Sequence, residues 1–120
     1  MTTGTKEKDC IFCKIARKEI PARIAYEDRL VTAFEDVSPQ APHHTLIIPK
    51  AHFGTFNDIS SGEEALLGHM MLVATRVAQE KGLDKEGYRL VANCLESAGQ
   101  SVLHIHLPLL GGRRFTWPPG

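Results

Sequence analysis

The chain has 120 residues and a mass of 13.3 kDa, which is the size of about one domain. Its 14 basic residues balance 14 acidic ones, so the formal net charge is zero. Because duplex nucleic acid and anionic membranes are bound through a basic excess, this balance argues against both as partners. A small anionic ligand held by a few local donors remains compatible with it.

No segment is typical of membrane insertion or secretion. The most apolar stretch, 66–78, is interrupted by Gly68, His69 and Arg76, and it falls short of the roughly 20 apolar residues of a spanning helix. The polar start of the sequence lacks the apolar core of a signal peptide. An odd number of cysteines, three, does not suit a secreted disulfide framework. We therefore expect a cytoplasmic protein without a membrane or nucleic-acid partner.

The first half of the chain predicts a tail, one short helix and three strands. Residues 1–9 are polar and aperiodic and predict a mobile tail, followed by a single domain over 10–120. Apolar spacing predicts a helix over 10–19 that stops at Pro21. Short β-rich runs then predict strands over 23–26, 30–34 and 45–48, with a proline-containing loop over 38–42.

The second half predicts the main helix and two more strands. An apolar stripe runs through residues 63–81, where Ser60 and Glu63 fit a capping box and Gly82 fits the C′ position. Strands are expected over 88–94 and 101–110, around a turn at 96–100. A C-terminal arm, 111–120, ends in a proline-stiffened Trp117. The order predicts an α+β fold with five strands in a mainly antiparallel sheet.

Two histidines alternate with aliphatic residues in the last predicted strand. Side chains two residues apart point to the same face of a strand, so His104 and His106 should leave one face roughly 6–7 Å apart. Leu103, Ile105 and Leu107 should fill the other face. The pattern by itself fits a functional pair and a structural pair equally well.

Cys10 and Cys13 form a Cys-x-x-Cys motif at the start of the short helix. Two thiolates at this spacing can bind one zinc ion, but they need two further ligands. All six histidines lie much farther away in sequence than in a zinc finger. The spacing alone therefore leaves free thiols and a redox pair open beside zinc.

Two loops carry residues that suit a nucleotide. Asp36 follows an apolar strand, and its carboxylate can accept both hydroxyls of a ribose, although a turn cap explains it as well. The turn Gly99-Gln100-Ser101 can direct backbone N–H groups and a hydroxyl at a phosphate. Each signal is weak alone.

Taken together, the motifs resemble those of the histidine-triad nucleotide-binding proteins of the Hint branch. The resemblance runs in order from about residue 10 to residue 120 and is carried by the runs 11–15, 17–21, 36–42, 99–101, His104-x-His106, 111–113 and 117–120. It implies a homodimer with one continuous sheet and a pocket for a purine nucleotide. The residues implied to bind the nucleotide are Ile11, Phe12, Ile15, Phe34, Asp36, Val37, Asn93, Gly99, Gln100, Ser101, His106 and Trp117.

The resemblance also implies a reaction, the hydrolysis of nucleoside 5′-phosphoramidates such as an AMP amide or an AMP-lysine adduct. His106 would attack the α-phosphorus and form a nucleotidyl-histidine, which water then hydrolyses. Ser101 and backbone donors would stabilise the phosphate, and His44 would sit behind the active histidines. Trp117 would approach the site of the partner subunit.

The resemblance also implies a zinc site, because some bacterial members of that family hold zinc at the positions of Cys10, Cys13, His52 and His104. Four protein ligands close the coordination sphere, so this zinc would be structural. Catalysis would then require no metal and would stay on His106.

One residue departs from the family pattern, which is His-x-His-x-His. The third position here is Pro108, which has neither an imidazole nor an N–H. We expect the last strand to bulge or end there and catalysis to be weakened. A nucleotide-binding or interaction protein with little catalysis is therefore the alternative to a phosphoramidase, and a thiol redox protein is a third hypothesis.

Overall fold

A computed structural model describes residues 7–120 of the chain. One sheet has the order β1-β2-β3-β5-β4, and every neighbouring pair is antiparallel. The strands are β1 (Ile24–Glu27), β2 (Val31–Glu35), β3 (His43–Pro49), β4 (Tyr88–Leu90) and β5 (Leu107–Gly111), and the helices are α1 (Ile11–Ala16), α2 (Glu64–Glu80) and α3 (Leu83–Glu86). The predicted α+β class with five strands, one long helix and a short N-terminal helix is confirmed. Short α3 was not predicted.

Part of the predicted N-terminal tail has regular structure. Residues 1–6 of the expected tail lie outside the described residues. Glu7–Asp9 form a single 3-10 turn whose Glu7 carbonyl accepts the N–H of Cys10, so these three residues have regular structure.

Between residues 7 and 120, no helix combines the length and apolar character needed to cross a membrane.

The central strands of the sheet are covered on both faces. Alternation places Val31, Ala33 and Ile47 on the side of α2, where they join the larger hydrophobic core. Phe34, Leu46 and Ile48 point to the opposite side and pack against α1. Both faces of β2 and β3 are covered, so these strands are buried almost without interruption, including polar residues such as Thr32 and Thr45.

The main helix begins and ends close to its predicted bounds. The Ser60 and Glu63 capping box is present, on a 3-10 turn that leads into α2. Gly82 follows the last turn with a left-handed φ of 74°. Helix α1 is shorter than expected because Lys18 adopts a φ of 66°, and the N–H of Glu19 turns back to the carbonyl of Lys14 at 2.8 Å.

Proline residues determine where the hydrogen-bonded pairing of β5 with its neighbouring strands ends. The last paired residues of β3 and β5 are Ile47 and Leu107. The next hydrogen-bonded pair would be Pro49 with Ile105, and Pro49 has no N–H to donate. The N–H of Ile105 bonds instead to the carbonyl of Phe53 at 2.8 Å. The predicted strand over 101–110 therefore begins only at Leu107 and extends to Gly111.

Pro108 does not end or bulge the last strand, which corrects the sequence-based expectation. It lies inside β5, opposite Leu46. Its carbonyl accepts the N–H of Val91 at 3.0 Å, but the return bond to Val91 would need a proline N–H. The β4–β5 ladder breaks at this pair, so β4 ends at Leu90 rather than at the predicted Cys94.

The turn between β1 and β2 is organised by the carboxylate of Asp28. It accepts the N–H groups of Leu30 and Val31 and the hydroxyl of Tyr26, each at 2.8 Å, and it meets Nε2 of His69 on α2 at 2.6 Å. Burial alone would raise the pKa of Asp28, but these hydrogen bonds together hold it well below its usual range. The carboxylate thus connects the hairpin to the main helix.

We expect Asp28→Asn to lower the free energy of unfolding at pH 7 by about 1–3 kcal/mol, because the amide cannot replace a charged acceptor of four donors. Since the folded-state pKa is below the unfolded one, this stabilisation is present above pH ~4 and lost as the pH falls through the folded value. Urea titrations between pH 2 and pH 7 measure it. The stability of the two proteins should converge at low pH, and a constant difference would contradict this reading.

Candidate active site

A pocket of about 1160 Å³ opens on the α1 side of the sheet. Its floor is formed by the ends of β2, β3 and β5, and its walls by α1, the loop 36–40 and the segment 93–102. Its lining is mostly apolar and includes a smaller number of polar side chains. Such a shape is typical of a small-molecule site.

Ten of the twelve predicted nucleotide-binding residues line this pocket. The apolar wall contains Ile11, Phe12, Ile15, Phe34 and Val37, and the polar members are Asp36, Asn93, Gly99, Ser101 and His106. Phe12 meets Phe34 edge to face at a centroid distance of 5.4 Å. Val37 is 97% exposed, so a ligand would cover it.

His106 presents one ring nitrogen to the pocket. Its Nδ1 lies 2.8 Å from the main-chain carbonyl oxygen of His104, so Nδ1 carries the proton and donates it. Nε2 therefore keeps its lone pair. Burial lowers the pKa of His106, although the hydrogen bond to that carbonyl and the charge of Asp36 oppose the shift. The neutral imidazole is the form that can act as a nucleophile.

The two histidines point to the side predicted, although they precede the strand rather than lie in it. The edge of Phe12 contacts the rings of His104 and His106, at centroid distances of 5.9 and 5.2 Å. Ile105 and Leu107 point the other way, into the core beneath α2. Alternation thus holds over residues 104–107. It does not extend to Leu103, which is only partly buried and lies outside both hydrophobic clusters, because the chain bends over 102–104.

His44 lines the pocket, and both of its ring nitrogens have a polar neighbour. Its Nδ1 accepts the N–H of Gln40 at 3.0 Å, so the proton is on Nε2, which lies 3.5 Å from Oδ2 of Asp36. The other oxygen of Asp36 accepts the N–H of Ser38 at 2.8 Å. This arrangement fixes the loop 36–40 against β3 and holds the Asp36 carboxylate at the pocket wall.

The predicted phosphate loop offers fewer donors than expected. The N–H of Gly99 bonds to the carbonyl of Glu96, and the N–H of Gln100 bonds to the carbonyl of Leu95. Ser101 is exposed, and its N–H and hydroxyl have no partner among residues 7–120. Ser101 is therefore the member of the loop that can donate to a ligand.

Gln100 and Trp117 are the two predicted residues that the structure keeps out of the pocket. The buried amide of Gln100 donates to the carbonyls of Gly54 and Val102, at 2.7 and 3.0 Å, and accepts the N–H of Leu95. It shapes the loop from behind. Trp117 is 82% exposed, on an arm that Arg89 holds through the carbonyl of Thr116 at 2.9 Å.

A second cluster lies beside the pocket and contains the four predicted metal ligands. One atom from each of Cys10, Cys13, His52 and His104 lies within 4.8 Å of all the others. Nδ1 of His104 is 3.3 Å from Sγ of Cys10 and 3.2 Å from Nδ1 of His52, which in turn is 3.2 Å from Sγ of Cys13. Tetrahedral zinc with its usual bond lengths spaces its ligands by roughly 3.3–3.8 Å. The donor set and its spacing therefore fit a zinc ion.

Hydrogen bonding and burial determine which atoms of these side chains are available to bind a cation. Nε2 of His104 donates to the carbonyl of Pro49 at 2.8 Å, which leaves the Nδ1 lone pair toward the cluster. Burial lowers the pKa of His104 to about 4 and, with the neighbouring Cys10, raises the pKa of the Cys13 thiol to about 12. A cation at the centre would favour the thiolate form of this buried cysteine.

Several wall residues were not predicted. Ile20, Pro21, Ala22, Arg23, Leu46, Val102 and Pro108 also line the pocket. Leu46 follows from alternation along β3, since it shares a face with His44. The segment 20–23 carries no periodic signal, because it is an extended connection between α1 and β1.

The chain is similar to known proteins in both sequence and structure. Residues 17–115 match the HIT domain family. The chain is 52% identical over 106 residues to the purine nucleoside phosphoramidase of Escherichia coli K12, covering 88% of this chain and 89% of that one. The crystal structure of a HIT family hydrolase from Legionella pneumophila has a TM-score of 0.91 and 53% identity, covering 92% and 99% of the two chains. A zinc-bound histidine triad family protein from Mycobacterium smegmatis has a TM-score of 0.77 and 31% identity, covering 96% and 82%.

Proposed function

Because this chain belongs to the HIT domain family, we propose that it is a nucleotide hydrolase that cleaves purine nucleoside 5′-phosphoramidates through His106. Amides of AMP with simple amines, or with a lysine side chain, represent the substrate class. The relative from E. coli named purine nucleoside phosphoramidase supports this choice.

The observation that carries the proposal is the locked tautomer of His106. Its Nδ1–H is committed to the carbonyl of His104 at 2.8 Å, which leaves a lone pair on Nε2 of this pocket-lining residue. A fixed nitrogen nucleophile can divide a difficult phosphoryl transfer into two easier steps.

In the first step, Nε2 of His106 attacks the α-phosphorus, the P–N bond breaks, and its electron pair takes up a proton from solvent so that the nitrogen departs as an amine. In the second step, water attacks the nucleotidyl-histidine, the bond to Nε2 breaks and AMP leaves. The base would lie against the apolar wall formed by Phe12, Ile15 and Phe34. The Asp36 carboxylate would accept the ribose hydroxyls, and Ser101 would donate to the phosphate.

We propose that zinc occupies the cluster of Cys10, Cys13, His52 and His104, as a structural ion with four protein ligands. The name of the zinc-bound relative from M. smegmatis supports this metal. When bound, the ion would hold α1 against the chain that leads into β5. Since His104 also supplies the carbonyl that fixes His106, the cluster would position the nucleophile without contacting the substrate.

We also propose a homodimer built on the free edge of the sheet. Strand β4 lies at that edge, and the C-terminal arm starts beside it, where Arg89 stacks over Phe115 at 5.0 Å. The highly exposed Trp117 is placed beyond this anchor. A second copy paired along β4 would give Trp117 a surface to cover and bring it toward the neighbouring pocket. The proposed cellular site is the cytoplasm, and we propose no nucleic-acid or membrane partner.

Turnover of a fluorogenic AMP amide, measured beside AMP binding by calorimetry, tests the proposed activity. We expect release of the amine and of AMP by the purified protein without added metal in the reaction buffer. Binding of AMP with no turnover would instead favour the alternative, a nucleotide-binding protein with little catalysis, for which Pro108 is the motivating residue. Failure to bind AMP would exclude both.

Deleting residues 115–120 should change substrate preference while leaving the fold intact. The removed arm contacts its own subunit mainly through Arg89, so the free energy of unfolding should change little. If Trp117 reaches the neighbouring site, the ratio of kcat/KM values for a small and a bulky AMP amide should shift. The single change Trp117→Ala is the matched control, and an unchanged ratio in both variants would reject this role.

A further inference from the structure

Pro108 occupies the pocket wall next to His106 with a side chain that cannot protonate a departing group. It lies two residues after His106, and both side chains line the pocket. A proline ring presents only carbon-bound hydrogens, and its nitrogen has no proton. The position beside the nucleophile therefore cannot take part in proton transfer.

The two imidazoles of the pocket have no proton to spare for a leaving group. The Nδ1 proton of His106 is held by the carbonyl of His104, and Nε2 is the attacking atom. Nδ1 of His44 accepts the N–H of Gln40, and its Nε2 proton faces the carboxylate of Asp36. A general acid must lie within hydrogen-bond reach of the departing atom; the His106 proton is already donated to a carbonyl, and the His44 proton lies beside a carboxylate.

The remaining polar side chains of the wall are also poor acids. The hydroxyls of Ser38 and Ser101 and the amides of Gln40 and Asn93 can donate hydrogen bonds, but hydroxyls and amides do not release protons near neutral pH. The Arg23 guanidinium stays charged. Both oxygens of the Glu35 carboxylate are engaged within the protein, one by Nζ of Lys81 at 2.6 Å and the other by the hydroxyl of Thr45 at 2.9 Å.

We infer that this site selects its substrates by the basicity of the leaving group. Among the nucleoside 5′-phosphoryl compounds that His106 can attack, those whose leaving group departs as a weakly basic oxyanion, such as a phenolate, sulfate or phosphate, react faster than the alkylamides of the proposed substrate class. The inference rests on the proposed role of His106 and adds a selectivity to that same site.

The proton that each leaving group requires explains this selectivity. With an oxyanion leaving group, the Nε2 lone pair of His106 forms the N–P bond, the P–O bond breaks, and its electron pair departs on oxygen without a proton. Water then bonds to phosphorus, the N–P electron pair returns to Nε2, and the released proton passes to solvent. An alkylamine would depart as a strongly basic amide anion unless a proton first reached its nitrogen. Pro108 cannot supply that proton.

A leaving-group series measures the selectivity. The substrates are the p-nitrophenyl ester, the phenyl ester and the propylamide of AMP, compared by kcat/KM. For the wild-type chain we expect the propylamide to react at least roughly 100-fold more slowly than the p-nitrophenyl ester. Pro108→His should raise the rate on the propylamide by roughly 10²-fold and change that on the p-nitrophenyl ester less than about threefold. The control Pro108→Gln adds a donor that is not an acid and should leave the ratio unchanged.

The outcomes separate this inference from the proposed function. Equal rates on the ester and the amide in the wild type, or an unchanged ratio in Pro108→His, would overturn the inference while His106-dependent turnover stands. If Pro108→His does not fold, the wild-type series alone decides. Absence of turnover with every compound would overturn the proposed function and the inference with it.

Discussion

Replacing His106 with asparagine is expected to lower kcat/KM for every AMP derivative by roughly 10⁴-fold or more, because the variant lacks the atom that attacks phosphorus. The asparagine amide can still donate to the carbonyl of His104, which now accepts Nδ1 of His106 at 2.8 Å. The loop should therefore keep its shape. AMP affinity should change by less than the rate does, since the apolar wall around Phe12 is untouched.

Two measurements make this prediction decisive. Mass spectrometry of acid-quenched reactions should find a nucleotidyl adduct on the wild-type peptide that contains His106 and none on the variant. The control His43→Asn changes the neighbouring histidine of β3, which precedes His44 and lies on the opposite face of the strand. It should retain activity. Full activity in His106→Asn, or an adduct on another residue, would contradict the assignment.

Periodicity was sufficient to predict most elements that bury an apolar face. The stripe of α2 and its capping box lie within one residue of the predicted bounds because helix spacing and capping are local properties. The faces of His104 and His106 were predicted because alternation is also a local property of the chain, although it fails at Leu103, where the chain bends.

The ends of the strands depend on partners that are distant in sequence. Pro49 breaks the pairing with Ile105, and Pro108 breaks the pairing with Val91. Neither effect is visible until the register is known, because a proline is harmful only where its missing N–H faces a neighbour. Pro108 was expected to disturb the β5 strand itself, yet the pair it disrupts ends β4 instead.

Residue type and motif could predict which residues lie in or near the pocket, but not what each side chain contacts. Gln100 was assigned to the phosphate, but its amide is buried and binds the carbonyls of Gly54 and Val102. A sequence pattern cannot separate a side chain that touches a ligand from one that supports the loop beneath it. The segment 20–23 was missed because extended connections carry no period.

Removing one cluster ligand is the second large expected effect. Cys13→Ser should reduce bound zinc from about one ion per chain to none, since the hydroxyl that replaces the thiolate is a poor zinc ligand. If free zinc exceeds its dissociation constant about 1,000-fold, the lost stabilisation is about 4 kcal/mol. Elemental analysis gives the occupancy, and thermal unfolding with and without a chelator gives the stability.

Cys94 provides the matched control for this experiment, because it is the one cysteine outside the cluster. Cys94→Ser should keep the ion, and a chelator should lower its melting temperature as it does for the wild type. A chelator should have no further effect on Cys13→Ser. Zinc retained by Cys13→Ser would reject the tetrahedral site, whereas zinc lost from both variants would point to a general loss of folding. Since the carbonyl that orients His106 belongs to His104, metal loss should also slow turnover in Cys13→Ser without preventing AMP from binding the apolar wall.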